Sequence, residues 1–362
     1  MNVILRTDAS LEIGTGHVMR CLTLAQALQD HGARCRFVSR EHPGHMVDAV
    51  RAAGFDVLAL PEPQPNFACS EEQGLYPAWL GADPATDALQ TRALLPDQLV
   101  DWLVVDHYAI DARWETNMRS ACHRLLVIDD LADRLHDCDM LLDQTLNRQP
   151  ADYAELLPSG CAILTGSRYA LLRPEFAAER TTSLKRKRGG QIRRLLIAMG
   201  GVDLHDVTSR VLLALVVCNL PSDIEVDVVL GWQAPWQDKV RQAARQLPFA
   251  VQVHVGIDNM ARLMVECDLA IGAAGTTALE RCCLGLPTIA LILAPNQREG
   301  AEALKAAGAV VVIDSDIGLG QALATAWRHV SALGVVEQMS EAAARLCDGR
   351  GADSMVERMM HG

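Results

Sequence analysis

No apolar run in this chain of 362 residues is long enough to cross a bilayer. No basic stretch followed by an apolar one opens the sequence, which runs from Met1 straight into a strand pattern. A secretory leader is therefore not expected, and the expected setting is the cytoplasm without membrane insertion. Positive charge is in short supply. The formal net charge of −12 argues against bulk nucleic-acid binding and leaves room for a local phosphate pocket. The eleven cysteines include no Cys-x-x-Cys pair. Odd in number and scattered through apolar runs, as at Cys218, Cys267 and Cys282, they read as buried reduced thiols. Gly-x-Ser-x-Gly, Walker and His-Glu-x-x-His patterns are missing. His42-Pro-Gly-His45 has no helix around it and no third ligand nearby, so no metal site is expected there.

What is present is a long, apolar, regularly punctuated chain. Its length suits two domains, and 50% hydrophobic with 22% charged residues suits a globular enzyme. The first half alternates short apolar strands with helical patterns. The strands are expected at Val3–Arg6, Arg34–Ser39, Asp56–Leu60, Trp102–Asp106, Arg124–Ile128, Met140–Leu142 and Cys161–Leu164. The helices are expected at His17–Gln29, Met46–Ala53, Ala85–Leu95, Asp111–Ala121 and Ala151–Leu156. Leu60–Ala85 breaks this rhythm with five of the fifteen prolines and reads as a long surface loop. Lys185-Arg-Lys-Arg188-Gly-Gly190 reads as a solvated linker, after which the alternation restarts at Leu195–Met199 and ends in helices from Gly318 to Met360. The expected division is residues 1–180, a basic linker 181–191, and residues 192–362. The fold class is α/β: two Rossmann-like, doubly wound domains with parallel sheets and a ligand cleft at their strand C-termini.

Two strand–turn–helix segments carry the chemistry. In the first, the strand Asn2–Arg6 leads through Asp8 to a turn with Gly14 and Gly16, and His17 opens the next helix. Helix-start amides face an anion well, and an imidazole on the first turn adds a titratable group. The same residues also read as a structural turn with a capping histidine. Gly14-x-Gly16 lacks the third glycine and the downstream acid of a dinucleotide fingerprint. Arg20, one turn on, either reaches an anion or lies as a surface charge. In the second segment, Ile271-Gly-Ala-Ala-Gly275-Thr276-Thr277 precedes a helix holding Glu280. The threonines can cap the helix or meet phosphate. Glu280 can accept from ribose hydroxyls or close a capping box with Thr277. Other strand ends add Gly200 and Gly201 within Met199–Asp203, His107 and Tyr108 within Val105–Ile110, Asp129-Asp130, and the amides Asn296 and Gln297.

In this order these motifs resemble the PseG family of UDP-sugar hydrolases, within the wider GT-B group that includes MurG-like glycosyltransferases. The resemblance rests on Arg6–Ser10, Ile13–Arg20, Asp106–Ile110, Asp152-Tyr153, Tyr169–Phe176, Met199–Asp203, the second glycine turn and Asn296-Gln297. It implies a GT-B-like fold and a metal-independent hydrolase without cofactor. The implied reaction converts UDP-2,4-diacetamido-2,4,6-trideoxy-β-L-altropyranose to UDP and the free diacetamido sugar, in pseudaminic acid biosynthesis. The family's catalytic histidine falls on His17. The family's substrate-contacting asparagine falls on Asn296. With these, Asp8, Gly14, Gly16, Arg20, His107, Tyr108, Tyr169, Gly200, Gly201 and Gln297 are expected on the substrate, and Gly275, Thr276, Thr277 and Glu280 on UDP. Leu60–Ala85 and the long C-terminus depart from shorter members. The alternatives are a glycosyltransferase using the same donor and a non-catalytic nucleotide-sugar binder. The oligomeric state is left open.

Overall fold

A computed structural model describes residues 1–64, 76–186, 188, 191–314 and 318–361. The chain divides into two compact units, Met1–Leu171 with Gly351–Gly362, and Leu172–Arg350.

The first unit is built on seven parallel strands: β1 Asn2–Thr7, β2 Arg34–Arg40, β3 Asp56–Leu60, β4 Val100–Asp106, β5 Cys122–Ile128, β6 Met140–Asp143 and β7 Ala162–Thr165. They lie in the order β3-β2-β1-β4-β5-β6-β7. The inner strands β1, β4 and β6 are almost wholly buried, as expected of strands covered by helices on both faces. The helices are α1 Gly16–Asp30, α2 Val47–Ala52, α3 Pro84–Leu94 and α4 Ala112–Met118. Winding changes direction between β1 and β4, where Thr7 pairs with Asp106, and ligands of such sheets gather at this kind of switch point. The expected helix at Ala151–Leu156 is only a 3-10 turn at Pro150–Tyr153. Of the expected loop Leu60–Ala85, residues 65–75 lie outside the described residues. The rest holds a 3-10 turn at Pro77–Leu80 and the start of α3, capped by Asp83 accepting from Thr86 N (3.0 Å).

The second unit repeats the plan. It contains α5 Pro174–Lys185, β8 Arg194–Ala198, α6 Val207–Leu215, β9 Glu225–Leu230, α7 Gln237–Ala244, β10 Ala250–Val255 and α8 Met260–Glu266. It continues with β11 Leu269–Ala273, α9 Thr277–Cys283, β12 Thr288–Ile292, α10 Arg298–Ala306, β13 Val310–Asp314, α11 Leu319–Val330 and α12 Val335–Ala344. The parallel order is β10-β9-β8-β11-β12-β13, with its switch point between β8 and β11.

The basic segment differs from its expected solvated form. Lys187, Gly189 and Gly190 lie outside the described residues. Arg186 donates to Val265 O (2.6 Å) and Asp268 (2.5 Å). Arg188 is buried and donates to Cys267 O (3.1 Å), Leu284 O (3.2 Å) and the Ser183 hydroxyl (2.8 Å). Orphan helix-end carbonyls accept well from a guanidinium, so these arginines tie the end of α5 to the ends of α8 and α9 within the second unit. The chain ends in α13, Gly351–His361, which belongs to the first unit and not, as the sequence division has it, with the second. Its stripe Ala352, Met355, Val356 and Met359 is buried beside Leu24 and Leu28 of α1, and Trp102 Nε1 donates to Met359 O (3.1 Å). No helix among the described residues is long and apolar enough to cross a membrane.

Candidate functional site

At the β1/β4 switch point the Gly14–Gly16 turn sets the position of His17. Ser10 O accepts from Gly14 N (2.9 Å), and Ser10 Oγ accepts from Ile13 N (2.9 Å). Gly14 has φ +79, which suits a residue without Cβ, and Gly16 is the first residue of α1. His17 Nδ1 lies 2.6 Å from Oδ1 of Asp106, the last residue of β4. A carboxylate can only accept, so Nδ1 carries the proton and Nε2 keeps the lone pair of the neutral ring. Asp106 is fully buried. Burial alone raises its pKa, but the Arg20 charge and the hydrogen bonds donated by Arg20 and His17 outweigh that and hold it well below the usual carboxylate range.

Arg20 is not a surface charge. It is buried, donates to both oxygens of Asp106 (2.6 and 2.7 Å), and reaches Asp130 Oδ2 (2.6 Å). Tyr108 donates its hydroxyl to the same Asp130 oxygen (2.8 Å) and lies edge-on to His17, with ring centroids 4.5 Å apart. In the sequence Asp106 stands only as the first residue of the Asp106–Ile110 motif, without a role of its own, and the adjacency of β4 to β1 is what brings its carboxylate to His17.

Asp8 belongs to a second buried group beside the first. Arg6 donates to its Oδ1 (2.6 Å) and also holds Asp87 (2.8 Å), which in turn accepts from Arg40 (2.6 Å) and Trp114 Nε1 (2.9 Å). Burial disfavours the Asp8 charge, yet Arg6, His107 and His42 together hold its pKa well below the ordinary value. His107 Nε2 lies 3.4 Å and His42 Nε2 3.6 Å from Asp8 Oδ2. His42 thus faces a carboxylate at the C-terminal end of the inner strand β1. His107 Nδ1 accepts from Ala109 N (3.0 Å), and burial lowers the His107 pKa. Tyr169 is placed elsewhere. It sits in the apolar core with Met355, under the Arg168 guanidinium 4.6 Å from its ring.

In the second unit, the β8 strand runs into Gly200 (φ +96) and Gly201, followed by Asp203 and Asp206 at φ 48 and 52. Asp203 accepts from Val207 N (2.8 Å) and Thr208 N (2.9 Å) and so caps α6. Across the switch point, Gly275 and Gln297 come together: a Cβ on Gly275 would sit 3.5 Å from Gln297 Nε2. Gln297 Oε1 accepts from Leu293 N (3.0 Å), and Asn296 is half-buried in the 3-10 turn beside it. Neither threonine caps α9 through its side chain. Thr276 is exposed, and the Thr277 hydroxyl accepts from Arg281 (3.3 Å). The capping box is therefore not formed. Glu280 instead pairs with Arg173 (3.4 Å), and burial raises its pKa. Arg281 is buried against Ala273 O (2.6 Å), and burial brings its pKa down to about 10. Among the described residues, no group of three or more His, Cys, Asp or Glu side chains is placed to hold a metal ion.

No family model matches the chain. It is 24% identical over 301 residues to UDP-2,4-diacetamido-2,4,6-trideoxy-beta-L-altropyranose hydrolase of Campylobacter jejuni, a match covering 83% of this chain and 95% of that one. The chain is thus similar to that hydrolase over most of both lengths. It is also 24% identical over 303 residues to an uncharacterized protein of Methanocaldococcus jannaschii, covering 83% of this chain and 57% of that longer one. Among solved structures it matches MurG of Acinetobacter baumannii with a TM-score of 0.70 at 15% identity, over 100% of this chain and 99% of that one. The fold is GT-B, with two parallel-sheet α/β domains.

Proposed function

We propose that this chain hydrolyses UDP-2,4-diacetamido-2,4,6-trideoxy-β-L-altropyranose to UDP and 2,4-diacetamido-2,4,6-trideoxy-L-altrose, a step of pseudaminic acid biosynthesis. The His17–Asp106 pair carries the reading, in a chain resembling that hydrolase over most of its length. Asp106 fixes the tautomer, and His17 Nε2 takes a proton from water. The water oxygen attacks C1, the bond from C1 to the phosphate oxygen breaks, and UDP leaves with the bonding pair, inverting C1. Tyr108, Asp8 and His107 line the sugar side. Gly275, Thr276 and Thr277 at the α9 start meet the diphosphate, where the helix dipole favours negative charge. Glu280, positioned by Arg173, meets the ribose, and Asn296 and Gln297 complete the contacts of the donor. The reading needs no cofactor.

The test is incubation with a panel of UDP-sugars without any acceptor, followed by mass spectrometry of the products. Free diacetamido trideoxy sugar and UDP in equal amounts are expected. UDP release only when a second sugar or a lipid is added would replace hydrolysis by transfer. Binding without any turnover would leave a nucleotide-sugar binder.

A further inference from the structure

The chain has only six tryptophans, four tyrosines and five phenylalanines, yet three of these rings gather beside His17. Tyr108 touches His17. Trp79 stacks on Tyr108 with centroids 6.0 Å apart and planes 25° apart. Tyr76 meets Tyr108 edge-on at 5.2 Å and Trp79 at 4.9 Å. Trp79 and Tyr76 remain half-buried.

The segment that carries them is anchored. Leu80 and Ala82 are buried, and Gly81 O accepts from Gln64 N (2.9 Å). Gly81 has φ +70, and a Cβ there would fall 2.9 Å from the side chains of Arg40 and His42. The rings are thus fixed to the same buried network that holds Asp8 and Asp87.

The polar groups that touch Tyr108 are largely turned toward Asp130 and Asp106. Arg20 is spent on Asp106 and Asp130, and the Tyr108 hydroxyl is given to Asp130. A sugar ring placed against Trp79 and Tyr76 meets the faces and edges of the rings. C–H and methyl substituents gain from that contact, whereas a hydroxyl pressed against it loses its water.

We propose that Trp79 and Tyr76 select the sugar by forming an apolar wall that takes the face bearing deoxy-carbon and N-acyl methyl groups and disfavours hydroxyl-rich hexoses. The proposal rests on the UDP-sugar hydrolase reading. Steady-state kinetics on the full chain test it, with the diacetamido trideoxy donor and UDP-N-acetylglucosamine compared in wild type, Trp79→Ala, Trp79→Phe and Tyr76→Ala. Trp79→Ala and Tyr76→Ala are expected to raise KM for the deoxy donor by about tenfold or more, with kcat changed less and the preference over UDP-N-acetylglucosamine narrowed. Trp79→Phe, which keeps a ring and tests the wall even if the alanine variants fold poorly, should fall between. Unchanged KM and unchanged preference in folded variants would overturn the wall while leaving hydrolysis standing. Wild type that turns over neither donor would overturn both.

Discussion

At the scale of single residues, the decisive contact is one hydrogen bond. Asp106 holds the His17 proton on Nδ1, and Arg20 keeps that carboxylate charged and fixed from both oxygens. An imidazole oriented in this way is prepared to take a proton at Nε2, whereas a helix-capping histidine has no need of a buried carboxylate on its far nitrogen. His17→Asn should therefore fold, bind UDP as wild type does, and lose about two to four orders of magnitude in turnover. Asp106→Asn keeps the shape but removes the acceptor-only partner, so the ring is free to take the wrong tautomer, and a comparable loss is expected. Stopped assays of UDP release, with melting temperatures as a folding control, decide between the two roles. His17→Asn that melts like wild type and keeps most of its turnover would take the histidine out of the mechanism and turn attention to His107, whose Nε2 lies near Asp8.

At the scale of elements, the borders follow directly from hydrophobic pattern. Strand β3 is Asp56–Leu60 as read, because an apolar run bounded by turn residues leaves little choice. Partners far apart in sequence were not legible. His17 and Asp106 are 89 residues apart, and Arg173 and Glu280 are 107 apart, so each pairing depends on strand order or helix packing that no local pattern encodes. Tyr169 lies in a recognisable motif, and its ring packs into the core beside α13. Arg186 and Arg188 look like a solvated run because charge density alone cannot register nearby helix-end carbonyls. The turn before α9 allows a clean element-level test. Gly275 has room for a Cβ, with its nearest neighbour, Gln297 Nε2, 3.5 Å away, so Gly275→Val should fold. Its added side chain would stand where a phosphate approaches the helix amides. Calorimetric titration is expected to show UDP affinity reduced by about tenfold or more, near the 1.4 kcal/mol that a tenfold change represents. Undiminished affinity would move the diphosphate away from α9.

At the scale of the whole molecule, the ion network makes stability depend on pH with two opposing signs. Asp8, Asp87, Asp106 and Asp129 have pKa values lowered in the fold, chiefly because buried arginines outweigh their desolvation. Their contribution is present above the unfolded value of about 4 and is lost as pH falls below it. Asp143 runs the other way. Burial and the nearby Asp130 charge raise it to about 6, so the stability it contributes in protonated form declines as pH rises from about 4 through that value. The melting temperature should therefore peak in the mildly acid range, near pH 5, and fall steeply below about 4. Scanning fluorimetry across pH checks this, and a curve that stays flat into strong acid would deny the network its role. The same molecule sets the last and most direct expectation. If His17 delivers water to the anomeric carbon and the α9 amides only receive the leaving diphosphate, every oxygen of UDP comes from the substrate. Hydrolysis in oxygen-18 water should then place the label on C1 of the free sugar and leave UDP at its unlabelled mass. The label in the UDP phosphate would mean attack at phosphorus, and His17 would lose the role that its pairing with Asp106 suggests.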